Sequence, residues 1–308
     1  MRQYILVLLS LTLTSKAFAQ DTTLIWDNQK ITLPEAVVRN NLDYRHILQR
    51  IKDDTTFYKA FRNLHIIEFS SYNNIRMLNK DGSVKASWNS KTTQHRENNC
   101  RSMKVLSQET TGDYFDNKGN YNYTTAEMYA AIFLTKGTVC GEDNIVNGHA
   151  FDLANKSGIE KHKEQLKMLF FNPGKKIPGI PFIGNKLDLY DERAYKLYDY
   201  KLDYIDYKGS YAYVFTIKPK ESYAGSGDIV VDEMTTWFDY KTFEVLARNY
   251  ALSYKVGVYD FDVNMQVEMT RVGDLLIPKT LRYKGNFSAL FKKRERGEFT
   301  ATIFDYKK

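Results

Sequence analysis

The sequence predicts an α+β protein: a curled antiparallel β-meander, an open or half-closed barrel, wrapped around N-terminal and central helices. Three observations carry this reading. Residues 259–270, YDFDVNMQVEMT, alternate without a break. Tyr259, Phe261, Val263, Met265, Val267 and Met269 fall on one side of an extended chain, and acids, amides and a threonine fall on the other. That is the period of a strand with one oily face. From residue 194 onward the pattern recurs in about seven segments of roughly 8–12 residues, each closed by a turn signal. Helical periodicity is confined to residues before 194, so those helices are the available cover for the oily face.

Taken in order, residues 20–33 read as an extended lead-in. Pro34 suits the first turn of a helix, and PEAVVRNNLDYRHILQRIK carries apolar residues at Val37, Val38, Leu42, Ile47, Leu48 and Ile51. Asp53-Asp54-Thr55-Thr56 supplies N-cap residues for a second helix with Phe57, Phe61 and Leu64 on one stripe. Residues 65–115 read as several strands around the turn Lys80-Asp81-Gly82. A helix from Thr124 stops at Gly137, and a third, GIEKHKEQLKMLFF, turns Ile159, Leu166, Leu169 and Phe170 inward. Residues 171–185, FNPGKKIPGIPFIGN, are too rich in Pro and Gly for a helix or a central strand, yet apolar. This insert either plugs an end of the fold or forms a lid, for which Ile177, Ile180, Phe182 and Ile183 are the candidates. The meander then turns at Lys208-Gly209-Ser210, Ala224–Gly227, Lys241-Thr242, Val272-Gly273-Asp274 and Arg294–Gly297. The expected organisation is one domain over 20–308, with a helix-rich part to 193 and the meander from 194.

The first nineteen residues have a basic start, an apolar run and an Ala17-Phe18-Ala19 site, as in a secretory signal peptide cleaved after Ala19. The expected location is therefore periplasmic or secreted, and no later stretch has the length and apolarity of a membrane helix. The formal net charge of +7 is spread among acids, with one dense run at Lys292-Lys293-Arg294, which argues against a nucleic-acid groove. Aromatics make up 14% of the chain, with 23 Tyr and 18 Phe, a composition that favours pleated, half-buried surfaces. Cys100 and Cys140 can pair in an oxidising compartment or remain as buried thiols; the C-x-x-C spacing of a redox site is absent.

Chemistry-bearing motifs are sparse. Asp260-x-Asp262-x-Asn264 starts like a calcium loop, but Met265 and Arg271 stand where Gly and Glu are needed. The five histidines show no zinc spacing. Gly225-Ser226-Gly227 sits in a hairpin turn, unlike a nucleophile elbow. Asp232 and Glu233, as neighbours on a strand, point to opposite faces. No catalytic residue, metal or cofactor is assigned, and the expectation is a non-enzymatic protein. Asn122 and Asn286 head N-x-S/T sequons.

YAYVFTIKPKESYAGSGDIVVDEMTTWFDYKTFEVLARNYAL, residues 211–252, runs from a strand ending in Pro, through a glycine turn, to a strand ending in Trp-Phe-Asp and a strand back. Over roughly residues 195–308 this rhythm resembles the lipoprotein-carrier superfamily of LolA and LolB type. The chain also resembles secreted proteins of Bacteroidota, through DTTFYKAFRNL and FNPGKKIPGIPFIGNKL. The carrier resemblance implies a half-barrel whose concave apolar face holds acyl chains under helical lids. This chain is longer than a simple carrier and has the insert at 171–185. The expected function is binding or carriage of a lipid or other hydrophobic ligand. The expected concave face holds Tyr213, Phe215, Tyr250, Leu252, Phe261, Val263, Met265 and Val267, since Met and aromatic side chains suit an adaptable greasy site. The alternatives are an envelope assembly protein that binds a partner through the sheet edge or the insert, and a hydrolase of unrecognised type.

Overall fold

In the computed structural model of the chain, residues 22–26, 29–33, 43–146, 168–177, 183–256, 259–289 and 294–308 are described. The signal segment, the helix start at Pro34, most of the third helix, His149, His162, Ile180, Phe182 and Lys292-Lys293 lie outside the described residues.

The lead-in forms a hairpin of β1 (Thr22–Trp26) and β2 (Gln29–Leu33). Two helices follow, α1 (Tyr44–Lys52) and α2 (Thr56–Asn63), then a 3₁₀ turn at Leu64–Ile66. Next come β3 (Glu68–Leu78), β4 (Val84–Glu97), β5 (Cys100–Thr111), α3 (Thr124–Phe133) and the short β6 (Thr138–Cys140). A one-and-a-half-turn helix α4 (Glu192–Leu197) leads into the meander: β7 (Tyr198–Tyr207), β8 (Ser210–Pro219), β9 (Val231–Asp239), β10 (Val245–Val256), β11 (Tyr259–Val272), β12 (Leu275–Ala289) and β13 (Glu295–Lys307).

Local chemistry accounts for the boundaries. Asp43 Oδ1 accepts from His46 N at 3.1 Å, and Arg50 and Lys52 occupy the last turn of α1, where the helix dipole favours cations. Asp191 caps α4 through Ala194 N at 2.7 Å. Lys208 and Gly209 both have positive φ, the two-residue turn that matches the twist of β7 and β8; Asn98 and Asn99 do the same for β4 and β5. The predicted turn at Arg294–Gly297 is a correction: Glu295 already belongs to β13. Its carboxylate accepts from Thr124 N at 2.9 Å and Thr125 N at 2.7 Å, so it serves as an anion at the start of α3.

Among the described residues, thirteen strands join one sheet in the order β1-β2-β7-β8-β9-β10-β11-β12-β13-β3-β4-β5-β6. Every pairing is antiparallel except β2 with β7, where Ile31 pairs with Tyr200. The C-terminal strand lies beside β3, with Phe299 opposite Ile75, so the first hairpins extend the meander. The two marginal strands, β1 and β6, do not pair with each other, and the sheet stays open.

From β7 to β13 the inward face is mostly oily, whereas in β3 and β4 it turns polar at Ser71, Asn73, Ser90 and Thr92, whose side chains bond one another. From Phe261 to Val267 the side chains alternate buried and exposed as the period requires. Ile47, Leu48 and Ile51 of α1 and Phe57, Ala60 and Phe61 of α2 are buried; all but Ala60 share a single cluster with the inward residues of β7–β13. The helices therefore fill the trough. A polar bolt fixes them there. The Asp54 and Arg248 side chains are 5% and 8% exposed and 3.2 Å apart. Arg248 Nε also donates to Thr236 Oγ1 at 2.9 Å, and its guanidinium lies 4.4 Å from the Phe57 ring centre. Asp54 accepts from Thr56 N at 2.8 Å, and Thr56 Oγ1 accepts from Val245 N at 3.0 Å. The junction of α1 and α2 is thus hydrogen-bonded directly to β10.

Removing one partner of this pair leaves a buried charge uncompensated. Asp54→Ala should lower the unfolding free energy in urea by about 3–5 kcal/mol, and the double variant Asp54→Leu/Arg248→Met should lose less than either single change.

Candidate ligand-binding cavity

The eight residues expected on the concave face all point inward, from β8, β10 and β11. Tyr250 pairs with Met265 and Leu252 with Val263 across the ladder. Each is buried, from 0% exposed at Val267 to 8% at Val263, within the central cluster. Tyr250 Oη donates to the Phe170 carbonyl at 2.9 Å, so even its polar tip is engaged. Of the lid candidates, Ile177 and Ile183 are buried in the same cluster, and Ile177 N bonds the Gly184 carbonyl at 3.2 Å. Lys175 beside them donates to the Lys52 carbonyl and lies 4.5 Å from the Tyr190 ring centre. Burial pushes its ammonium below the ordinary lysine value, partly offset by nearby Asp188 and Asp54. Both described ends of the insert are folded into the core.

The filling is incomplete at one end. A cavity of about 350 Å³ lies between α2, the last residues of α3, β4 and β5. Small-molecule sites start at about this size. Its floor is aromatic: the Phe61 ring centre lies 4.6 Å from that of Phe171 and 6.5 Å from that of Phe133, with Tyr58 5.9 Å from Phe171. Its rim is charged. Glu142 accepts from Arg101 Nε, and His65 Nδ1 lies 3.2 Å from the other Glu142 oxygen. Arg62 donates to the Asp143 carbonyl at 2.7 Å, while its Nε is buried with no hydrogen-bond partner among the described residues. Gln94, 1% exposed, ties rim to wall: its amide donates to the Leu64 and Ile67 carbonyls at 2.7 and 2.9 Å, and its Oε1 accepts from Arg101 at 3.3 Å.

The two cysteines build this rim. Cys100 and Cys140 are bonded to each other as directly opposed residues of β5 and β6. Gly141, at a φ of 74°, turns the chain immediately after, and Gly141 N bonds the Asn99 carbonyl at 3.1 Å. Glu142 and Asp143 are thereby set against Arg101, His65 and Arg62. Burial pushes the Glu142 carboxyl up, but the Arg101 hydrogen bond and the charges of His65, Arg101 and Arg62 outweigh it. The carboxyl sits below its ordinary value of 4.5.

Sequence reasoning did not single out the rim. Phe61 was placed in the core, and Arg62, His65, Gln94, Arg101 and Glu142 carried no motif. Pairing of Cys100 with Cys140 brings their neighbourhoods together, but the ladder sets Arg101 opposite Val139, and only the turn at Gly141 returns Glu142 to Arg101. No group of three or more metal-ligating side chains occurs among the described residues.

No protein-family model matches the chain, and no curated protein matches it. Among solved structures it is similar to a DUF1329 family protein from Desulfovibrio piger, at 11% identity and a TM-score of 0.24, covering 81% of this chain and 92% of that one. It is also similar to a putative outer membrane lipoprotein-sorting protein domain from Vibrio parahaemolyticus, at 8% identity and a TM-score of 0.27, covering 85% and 89%. A third similarity is to lipovitellin, in a structure concerned with lipid–protein interactions, at 9% identity and a TM-score of 0.28, covering 78% of this chain and 25% of that one.

Two outcomes follow from the rim. Cys100→Ser/Cys140→Ser frees a loop with a sequence separation of 40, and chemical denaturation should show a loss of about 3–4 kcal/mol on the chain-entropy model. Glu142 is held more acidic in the folded chain than in the unfolded one, so its stabilising contribution is complete above about 4.5 and fades as pH falls through the lower folded value. Glu142→Gln should therefore be less stable than wild type near neutrality, and the gap should close in acid in parallel melting curves.

Proposed function

We propose that this chain is a binding or carrier protein for an amphiphile, whose apolar tail enters the aromatic floor and whose polar head meets the charged rim. The observation that carries this reading is the juxtaposition of Phe61, Phe133 and Phe171 below Arg62, His65 and Arg101 in one cavity of about 350 Å³. Each methylene removed from water would contribute about 0.8 kcal/mol. The rim would supply orientation, because Arg62 and Arg101 line the cavity and a guanidinium can donate to a head-group oxygen. The eight inward residues of β8, β10 and β11 do not line this cavity, and the tail would reach them only if the helical filling shifts.

The disulfide supports an oxidising, extracytoplasmic location. Among the described residues, no helix is long and apolar enough to cross a membrane.

Native mass spectrometry of gently purified protein tests the reading, together with melting curves in dodecyl and tetradecyl amphiphiles of either head charge. At a ligand concentration about a hundredfold over Kd, the melting temperature should rise by roughly 5 °C. Leu134→Trp, which fills the cavity, should weaken binding at least about tenfold while the circular dichroism spectrum is unchanged. A chain that carries no lipid and whose melting temperature ignores every amphiphile would sink the proposal.

A further inference from the structure

β5 is a strand with one long free side. β4 pairs with it from Cys100 to Thr111, but β6 covers its other side only at Cys100–Ser102. Residues 104–111 are all exposed, with Val105 at 47% and Leu106 at 55%. No other strand among the described residues pairs with this side. Unpaired peptide groups in an extended row are a template for another strand, and proteins blunt such edges with proline, charges or a bulge. The stretch MKVLSQETT contains no proline and two charges, Lys104 and Glu109.

The ladder with β4 fixes which face each side chain takes. Lys104 pairs with Thr93, Ser107 with Lys91 and Glu109 with Asn89, all on the outer face. Met103, Val105, Gln108 and Thr110 pair with Gln94, Thr92, Ser90 and Trp88 on the inner face. Leu106 has no partner; it is the extra residue of a bulge. In a regular strand, residues five apart point to opposite faces, and Lys104 and Glu109 would be separated. The bulge shifts the parity and puts both charges outside.

We propose that this edge joins two copies of the chain, β5 to β5 antiparallel, about a twofold axis between Leu106 and Ser107. In that register Lys104 lies opposite Glu109 of the second copy, and the reverse holds on the other side of the axis. Val105 meets Gln108 and Met103 meets Thr110 on the inner face, and the bulged Leu106 sits beside the axis, next to Ser107 of the second copy. The interface is isologous, as a twofold axis requires. Opposite charges directly across a ladder stabilise it, and like charges disrupt it. The contact is one strand wide, below the size of a standard permanent interface, so the dimer should be reversible and concentration-dependent.

Sedimentation equilibrium of the full chain tests this, up to roughly 100 µM for a contact of this class. Wild type should move from monomer toward dimer over that range. Lys104→Glu and Glu109→Lys each set like charges across the axis twice, and each should weaken association at least about tenfold. The double variant Lys104→Glu/Glu109→Lys restores complementarity and should restore the dimer. Both residues lie outside the cavity, so amphiphile binding should be unchanged in all three variants. Wild type that stays monomeric overturns the proposal. So does a dimer indifferent to both single changes, or a monomer whose edge cross-links instead to a strand of a different protein.

Discussion

The molecule is organised by the need to cover the largely oily face of a sheet against which, among the described residues, no second sheet packs. An antiparallel sheet can leave its other face in water, but this face must be hidden. The pairing of β13 with β3 makes the demand larger, because it fuses the early hairpins and the meander into one surface. Curling alone does not close it, since β1 and β6 stay apart. The helices therefore have to lie inside the curl, and the Asp54–Arg248 pair sets where α1 and α2 sit. A hydrophobic pair could hold them as strongly; a hydrogen-bonded ion pair also fixes their register against Thr236 and Val245.

The cavity is where that filling stops. The helical cover ends at Asn63 and Phe133, and the rim beyond carries Glu142, held in place by a strand of three residues just before it, β6. So short a strand has little ladder energy of its own. The bond from Cys140 to Cys100 stands in for it and keeps Glu142 and Asp143 against the basic side chains. Backbone carbonyls at Leu64, His65 and Ile67 complete the rim by accepting from Gln94 and Arg96. Packing thus shapes the floor and hydrogen bonding shapes the mouth.

Much of the architecture was legible because it is local. The alternation at 261–267 and the turns at Lys208-Gly209 and Val272-Gly273 locate strands within a residue or two. The Asn98-Asn99 turn was missed because its signal lacks glycine, although both asparagines tolerate positive φ. The β13–β3 pairing and the parallel β2–β7 contact join distant segments and leave no trace in periodicity. The same limit governed the site. Periodicity tells that Phe261 and Met265 face inward; it does not tell that α1 and α2 occupy the space in front of them. The rim escaped notice because Arg62, Gln94, Arg101 and Glu142 come from four separate elements and meet only in the fold.

The β3–β13 ladder also has a consequence for the order of assembly. Ile75 and Phe299 are more than two hundred positions apart. During vectorial synthesis β3 emerges long before β13, and the flank of β3 that will receive β13 waits for all the chain between them to be made. High contact order of this kind makes acquisition of the native state slow. A nascent or truncated chain would present a bare, sticky flank for the whole interval, the condition under which holding chaperones are most needed.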